Sequence, residues 1–180
     1  MKKYQVIYAD PPWRYGFSPS KSNSIEAHYP TMSVDEIKNL PVPSADSAVL
    51  YLWTTAPKLL EGLEVLGAWG FEYKTHGIWD KQRTGIGYWF LGMHELLLVG
   101  TKGQFSPPDP SKRIGSIYRE DRTKHSRKPP GIRVQINKWF PNTSKLELFA
   151  RKEEMLFDAD GFDGWDVWGN EVESDIVLNT

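Results

Sequence analysis

The 180-residue chain contains no cysteine. That excludes disulfides and thiolate metal centres, and it fits a reducing compartment. Histidine is scarce, with four in all, so an imidazole-based metal site has little to draw on. "HELLL" at His94 begins like a zinc-protease motif but carries Leu98 where the second histidine is required. No apolar run approaches a membrane span. The apolar stretch after Lys2 and Lys3 stops at Asp10, too early for a signal peptide's core. "GIGYW", Gly85 to Trp89, lacks the third glycine and the preceding strand of a dinucleotide fingerprint. Repeats, low-complexity segments and a phosphate-binding lysine loop are also missing.

What is present reads as one domain over residues 1–180, with 25% charged and 39% apolar residues. The net charge of −1 conceals an asymmetry. Between Lys112 and Arg133 stand eight basic residues against Glu120 and Asp121, whereas no Lys or Arg follows Glu153. The first stretch suggests a surface for a polyanion, and two solvated faces are the plainer reading.

Short apolar runs alternate with helical patterns. "YQVIYA", "AVLYLW", "FEYKTHGIWDK", "ELLLVG" and "KLELFA" read as strands, and "GSIYRE" as a short edge strand. "SVDEIKNL" opens with the capping-box pair Ser33 and Glu36. Thr55 and Pro57 open a second helix with Leu59, Leu60, Leu63, Leu66 and Trp69 as its apolar stripe, and Ile132, Ile136 and Phe140 mark a third. The fold class is therefore α/β, with helices around a mostly parallel sheet. The tail "DGWDVWGNE" reads as turns.

"DPPW", Asp10 to Trp13, ends the first strand, where open α/β sheets bind ligands. It can be a stiff turn with its aromatic on the core. It also suits chemistry on an exocyclic amine, whose lone pair is delocalised into the base. The Asp10 carboxylate and Pro11 carbonyl can accept the amine's hydrogens, and consecutive prolines hold that carbonyl in place. Trp13 or Tyr15 offers a π-face for a flipped-out base, worth roughly 1–3 kcal/mol. "HSRKPP" joins a basic loop to a helix, so Lys128 and the helix start could meet an anionic group. "WGNE" supplies an amide and a carboxylate suited to ribose hydroxyls and base edges, or forms a surface turn.

Together "ADPPW", "HYPTMSVDEI", "LYLWTT", "GFEYKT", "GIGYWF…HELLLVG", "HSRKPP", "KLELFAR" and "GWDVWGNE" resemble the MTA-seventy family of N6-adenine methyltransferases in family order. That family comprises the catalytic subunit of the eukaryotic messenger-RNA adenosine methyltransferase and its bacterial and phage relatives. The resemblance implies a Rossmann-like methyltransferase fold in permuted order, with S-adenosylmethionine as cofactor. It implies Asp10, Pro11, Pro12 and Trp13 as the catalytic motif. Asp10, Lys128, Arg151, Asn170 and Glu171 are implied at the cofactor, with Lys128 on the methionine carboxylate. Tyr29, Thr31 and Met32 fall in the family's loop over the acceptor base. Trp13 and Tyr15 with Arg113, Arg122, Lys124 and Arg127 complete the expected substrate surface.

The larger members clamp the cofactor's adenine with a strand and loop before the catalytic motif. Nine residues precede Asp10 here, so the clamp is expected to come from elsewhere or to be missing. The expected reaction is methylation of the 6-amino group of adenine in DNA, single-stranded or unpaired. RNA, or a non-catalytic nucleic-acid-binding subunit of the same fold, is the alternative. The expected partner is nucleic acid, DNA over RNA, with no membrane. The glycine–aromatic loop is compatible with a homodimer. The expected location is the cytoplasm of a bacterium or a phage-infected host.

Overall fold

The computed structural model describes residues 2–15, 30–120, 127–151 and 161–178. Its centre is a seven-stranded sheet. In chain order the strands are β1 (Tyr4–Ala9), β2 (Ser44–Thr54), β3 (Glu72–Asp80), β4 (His94–Lys102), β5 (Ile117–Arg119), β6 (Lys145–Leu148) and β7 (Trp165–Trp168). Their spatial order is β5-β3-β4-β2-β1-β6-β7. Only β4 runs against its neighbours, pairing antiparallel with both β2 and β3. The other pairings are parallel, so the sheet is mostly parallel, as a Rossmann-like methyltransferase fold requires.

Helices cover both faces. α1 (Val34–Lys38) and α2 (Leu59–Ala68) lie on one face, and α3 (Pro130–Trp139) lies on the other. Burial on two sides explains why the central strands read as unbroken apolar runs. Leu50 and Leu52 enter the first layer, while Val49, Tyr51 and Trp53 enter the second. A register irregularity between Tyr4 and Val6 shifts this alternation in β1. Tyr4 and Ile7, three apart, therefore share a face.

Several helical details follow from local chemistry. Ser33 and Glu36 form the expected capping box on α1. Thr55 does not cap α2. Ala56–Lys58 form a 3₁₀ turn first, with Pro57 inside it, and the Thr55 hydroxyl meets Tyr15 at 2.7 Å instead. The buried face of α2 also differs from the leucine stripe. Gly62, Val65, Leu66 and Trp69 are covered, and Leu60 is 73% exposed. Gly62 lies close to Leu98 and Thr54, so the helix sits low on the sheet and turns Leu60 outward.

The tail expected to be turns contains β7, which adds to β6 in parallel. Its apolar residues Trp165 and Val167 alternate inward, a pattern too short to stand out among glycines and acids. The basic stretch is not one surface. Lys128 and Arg133 are buried. Arg133 pairs with Glu147 at 2.6 Å and lies over the Phe162 ring at 4.3 Å. No helix among the described residues is long and apolar enough to cross a membrane.

Candidate active site

Strand order decides where a ligand can sit. From β1 the chain moves to β2 on one side, and from β6 it moves to β7 on the other. β1 and β6 are direct neighbours, so the gap beyond their C-terminal ends is the sheet's topological switch point. Asp10 follows β1 on one side of that gap, and Phe149 follows β6 on the other. Because β4 is reversed, its first residues lie at the same edge.

The motif after β1 is held from several directions. Trp13 donates its amide to the Pro11 carbonyl at 2.9 Å. This sets the carbonyl's direction and uses one of its two lone pairs. Met32 donates to the Pro12 carbonyl at 2.8 Å, and Arg14 donates to the Met32 carbonyl at 3.2 Å. The two ends of the intervening loop are thus joined at Trp13 and Met32. Arg14 also reaches the Thr31 hydroxyl at 3.4 Å. Trp13 itself is 5% exposed, and its indole donates to the Trp53 carbonyl at 3.1 Å. Its ring belongs to the core beneath the motif. The more accessible ring is that of Tyr15, which has Lys58 over it at 5.5 Å.

Lys128 enters from the segment before α3. That helix must run back to the start of β6, so its N-terminus lies at the edge where β1 and β6 end. The Lys128 ammonium is 2.8 Å from Asp10 Oδ2 and 3.2 Å from Glu95 Oε2, and it lies 5.8 Å from the centre of the Trp53 ring. Burial works to lower the pKa of this ammonium. The charges of Asp10 and Glu95 outweigh it and hold the pKa above the ordinary lysine value. Burial likewise works to raise Glu95, but Lys128 and Lys81 leave it below the usual carboxylate value. Lys81 reaches the other Glu95 oxygen, making a four-member chain from Lys81 to Asp10. Among the described residues nothing bonds to the second Asp10 oxygen. An ammonium has three donors, and two carboxylates take up Lys128 without exhausting it.

On the β6 side, Phe149 adopts φ 65°, left-handed for a residue with a side chain. Such a conformation costs on the order of 1–3 kcal/mol and is found where surrounding structure enforces it. Its ring packs edge-on to Trp168 at 5.5 Å, and Ala150 donates to the Trp168 carbonyl at 3.0 Å. Gly169 then passes so close that a Cβ there would lie 2.3 Å from the Ala150 carbonyl oxygen. This crossing brings Arg151, Asn170 and Glu171 to the same edge, the last two exposed.

The structure thus gathers Asp10, Pro11, Pro12, Trp13, Tyr15, Thr31, Met32 and Lys128 at one end of the sheet, with Arg151, Asn170 and Glu171 across the gap. Tyr29, Arg122 and Lys124 lie outside the described residues. Arg113 is exposed beside the 3₁₀ turn Pro110–Lys112, and Arg127 is half-buried next to Lys128. Glu95, Lys81 and Trp53 are not among the expected site residues. The only signal for Glu95 is a charged residue opening an otherwise apolar strand. No group of three or more His, Asp or Glu among the described residues could hold a metal ion.

Known sequences resemble this chain along most of its length. The profile of the MT-A70 family matches residues 4–171. A mycoplasma protein, type II methyltransferase M.MunI, is 38% identical over 95% of this chain and 78% of its own length. The human N(6)-adenosine-methyltransferase catalytic subunit METTL3 is 32% identical over 98% of this chain but only 30% of its own length. An Arabidopsis thaliana N(6)-adenosine-methyltransferase MT-A70-like protein is 33% identical over 98% of the chain and 25% of its own length. With the match running from the first strand to just past the last, the chain belongs to the MT-A70 family of methyltransferases.

Proposed function

We propose that this protein methylates the 6-amino group of adenine in DNA, single-stranded or locally unpaired. The observation that carries this reading is the placement of Asp10 and the Pro11 carbonyl at the switch point, with Lys128 holding one Asp10 oxygen. Lys128 orients the carboxylate and leaves its second oxygen to accept a hydrogen from the amine. The Pro11 carbonyl, aimed by the Trp13 amide, accepts the other. Two acceptors set in advance favour the pyramidal amine, whose lone pair is then localised on nitrogen, at no reorganisation cost. When a bond to carbon forms, the nitrogen becomes cationic, and the Asp10 carboxylate lies next to that charge and can take the departing proton. Tyr15 offers the base a ring, and buried Trp13 closes the floor against water.

When bound, S-adenosylmethionine would supply the methyl group, its sulfur–methyl bond breaking as the nitrogen–carbon bond forms, and it would leave as the neutral thioether. The residues across the gap fit such a group. Asn170 and Glu171 provide an amide and a carboxylate at an exposed edge for ribose hydroxyls, and Arg151 stands beside them. The Gly169 crossing keeps a side chain out of that gap. The Lys128 cation suits the carboxylate end. DNA is favoured because the chain is 38% identical to the mycoplasma type II methyltransferase and 32% identical to the human adenosine methyltransferase subunit. The matching compartment is the cytoplasm of a bacterium or of a phage-infected host.

Incubation with methyl-labelled S-adenosylmethionine and single-stranded DNA, duplex DNA or RNA tests the reading. Label is expected in 6-methyladenine and in DNA above RNA. Label in RNA alone would move the substrate. Label in no nucleic acid would end the assignment.

A further inference from the structure

The short edge strand β5 reaches the start of α3 through one side chain. Gly131 stands in the first turn of that helix. A Cβ there would lie 2.0 Å from the Tyr118 hydroxyl and 3.1 Å from Cζ of the same ring. The hydroxyl therefore fills the space that a side chain would take. It donates to Glu120 Oε2 at 2.5 Å. Burial, and then Glu120, pushes its pKa up to about 12, so it remains a donor near neutral pH. We propose that Tyr118 is a positioning residue: seated on Gly131 and fastened by Glu120, it sets where the Lys128 ammonium stands relative to Asp10. The proposal rests on the reading of Lys128 given above.

The connection to Lys128 runs along two routes. The first is the backbone. No side chain caps α3, whose N-cap is Pro129 and whose first residue is Pro130. Its opening turn therefore depends on contacts from elsewhere in the fold. Those two prolines alone separate Lys128 from Gly131. Proline fixes φ, so little freedom remains between the seat and the lysine. The second route is through rings. The Glu120 carbonyl accepts the Trp79 indole N–H at 2.8 Å, and Trp79 packs edge-on against Trp53 at 6.1 Å. The Trp53 ring lies 5.8 Å from the Lys128 ammonium. Both routes start from Tyr118 and Glu120, and β5 itself is held in register by the pairing of Tyr118 with Trp79.

The test is a fitted pair of substitutions. Gly131→Ala puts a methyl group where the hydroxyl sits and displaces the ring, the helix start or both. Tyr118→Phe removes the oxygen that the methyl would meet. A displacement of about 1 Å at a reacting group costs on the order of 100-fold. Gly131→Ala is therefore expected to lower kcat by about 100-fold and to raise KM for S-adenosylmethionine, with KM for DNA unchanged. Tyr118→Phe alone keeps the ring and is expected to cost about tenfold or less. The double variant is expected to return to the level of Tyr118→Phe. Calorimetry with S-adenosylmethionine alone should rank the variants in the same order. Circular dichroism checks that each is folded at the assay temperature, and Tyr118→Phe carries the test if Gly131→Ala does not fold. Wild-type kcat and KM in either single variant overturn the proposal. So does a double variant no better than Gly131→Ala. Losses that only follow the folded fraction overturn it too, because Tyr118 would then support the fold alone. If wild type methylates no DNA while calorimetry still separates the variants, the positioning stands and the adenine reading falls. If wild type does not bind S-adenosylmethionine, both fall.

Discussion

Lys128 and Asp10, 118 positions apart, meet at 2.8 Å beneath the switch point of the sheet. Glu95 takes a second hydrogen of the same ammonium at 3.2 Å. One buried cation is therefore shared by two carboxylates, of which Asp10 stands just beyond the end of β1. The arrangement orients Asp10 without neutralising both of its oxygens.

Asp10→Asn keeps the shape of the side chain and removes its charge and half of its accepting capacity. Methyl transfer is expected to drop by roughly 100-fold or more, in line with loss of one preorganised electrostatic contact. Labelled transfer to DNA measures it, with thermal unfolding as the control. Activity near wild type would sink the catalytic role.

Lys128→Met leaves Asp10 and Glu95 facing one another without their cation. Removing one partner of a buried pair costs about 3–5 kcal/mol, and urea unfolding should show a loss of that order. Adding Glu95→Gln should recover part of the stability but not the activity. Full recovery of activity in the double variant would contradict an orienting role for Lys128.

The Glu95 carboxyl holds its proton less readily when folded than the ordinary value of 4.5. Its contribution to stability is therefore present above pH 4.5 and is lost as pH falls through the lower folded value. Urea midpoints from about pH 6 to about pH 3 should decline less steeply in Glu95→Gln than in wild type. Identical slopes would show that Glu95 does not contribute.

Gly169→Ala would drive a methyl group to 2.3 Å from the Ala150 carbonyl oxygen and 2.8 Å from its nitrogen. Both neighbours are backbone, so the β6–β7 ends must separate. A cost of about 1–3 kcal/mol is expected, with weaker binding of S-adenosylmethionine by calorimetry. Unchanged binding would place the cofactor away from this crossing.

Lys112→Gln and Arg113→Gln remove exposed charges from the basic stretch. If each meets a phosphate, the slope of log affinity against log salt should shrink by about 0.9 per residue on duplex DNA. Filter binding across a salt series reads this directly. No change in slope would detach these residues from the nucleic-acid surface.

Much of the candidate site can be proposed from the amino-acid sequence because its parts are short and contiguous. "DPPW" carries its own turn and its own acceptors, and "SVDEI" carries its own cap. Glu95 is hidden there because its function depends on a strand running backwards. A parallel β4 would have put that carboxylate at the opposite edge. Trp13 is open to two readings in the sequence, and only the fold shows its ring packed on the core at 5% exposure. The strand Trp165–Trp168 is illegible because four residues among glycines and acids carry too little periodicity.

The class of fold, the order of its elements and the chemistry available after the first strand are written along the chain. Those properties arise from hydrophobic spacing and from neighbouring residues, which a chain carries locally. Folding adds which distant charges share a cation, which basic residues are buried and which glycine must lack a side chain. Arg133 and Lys128 look like any other member of a basic run until Glu147, Asp10 and Glu95 are placed beside them. Burying a charge is costly unless a partner is brought to it, and here those partners are on strands, or just past the end of one, that only the folded sheet brings together.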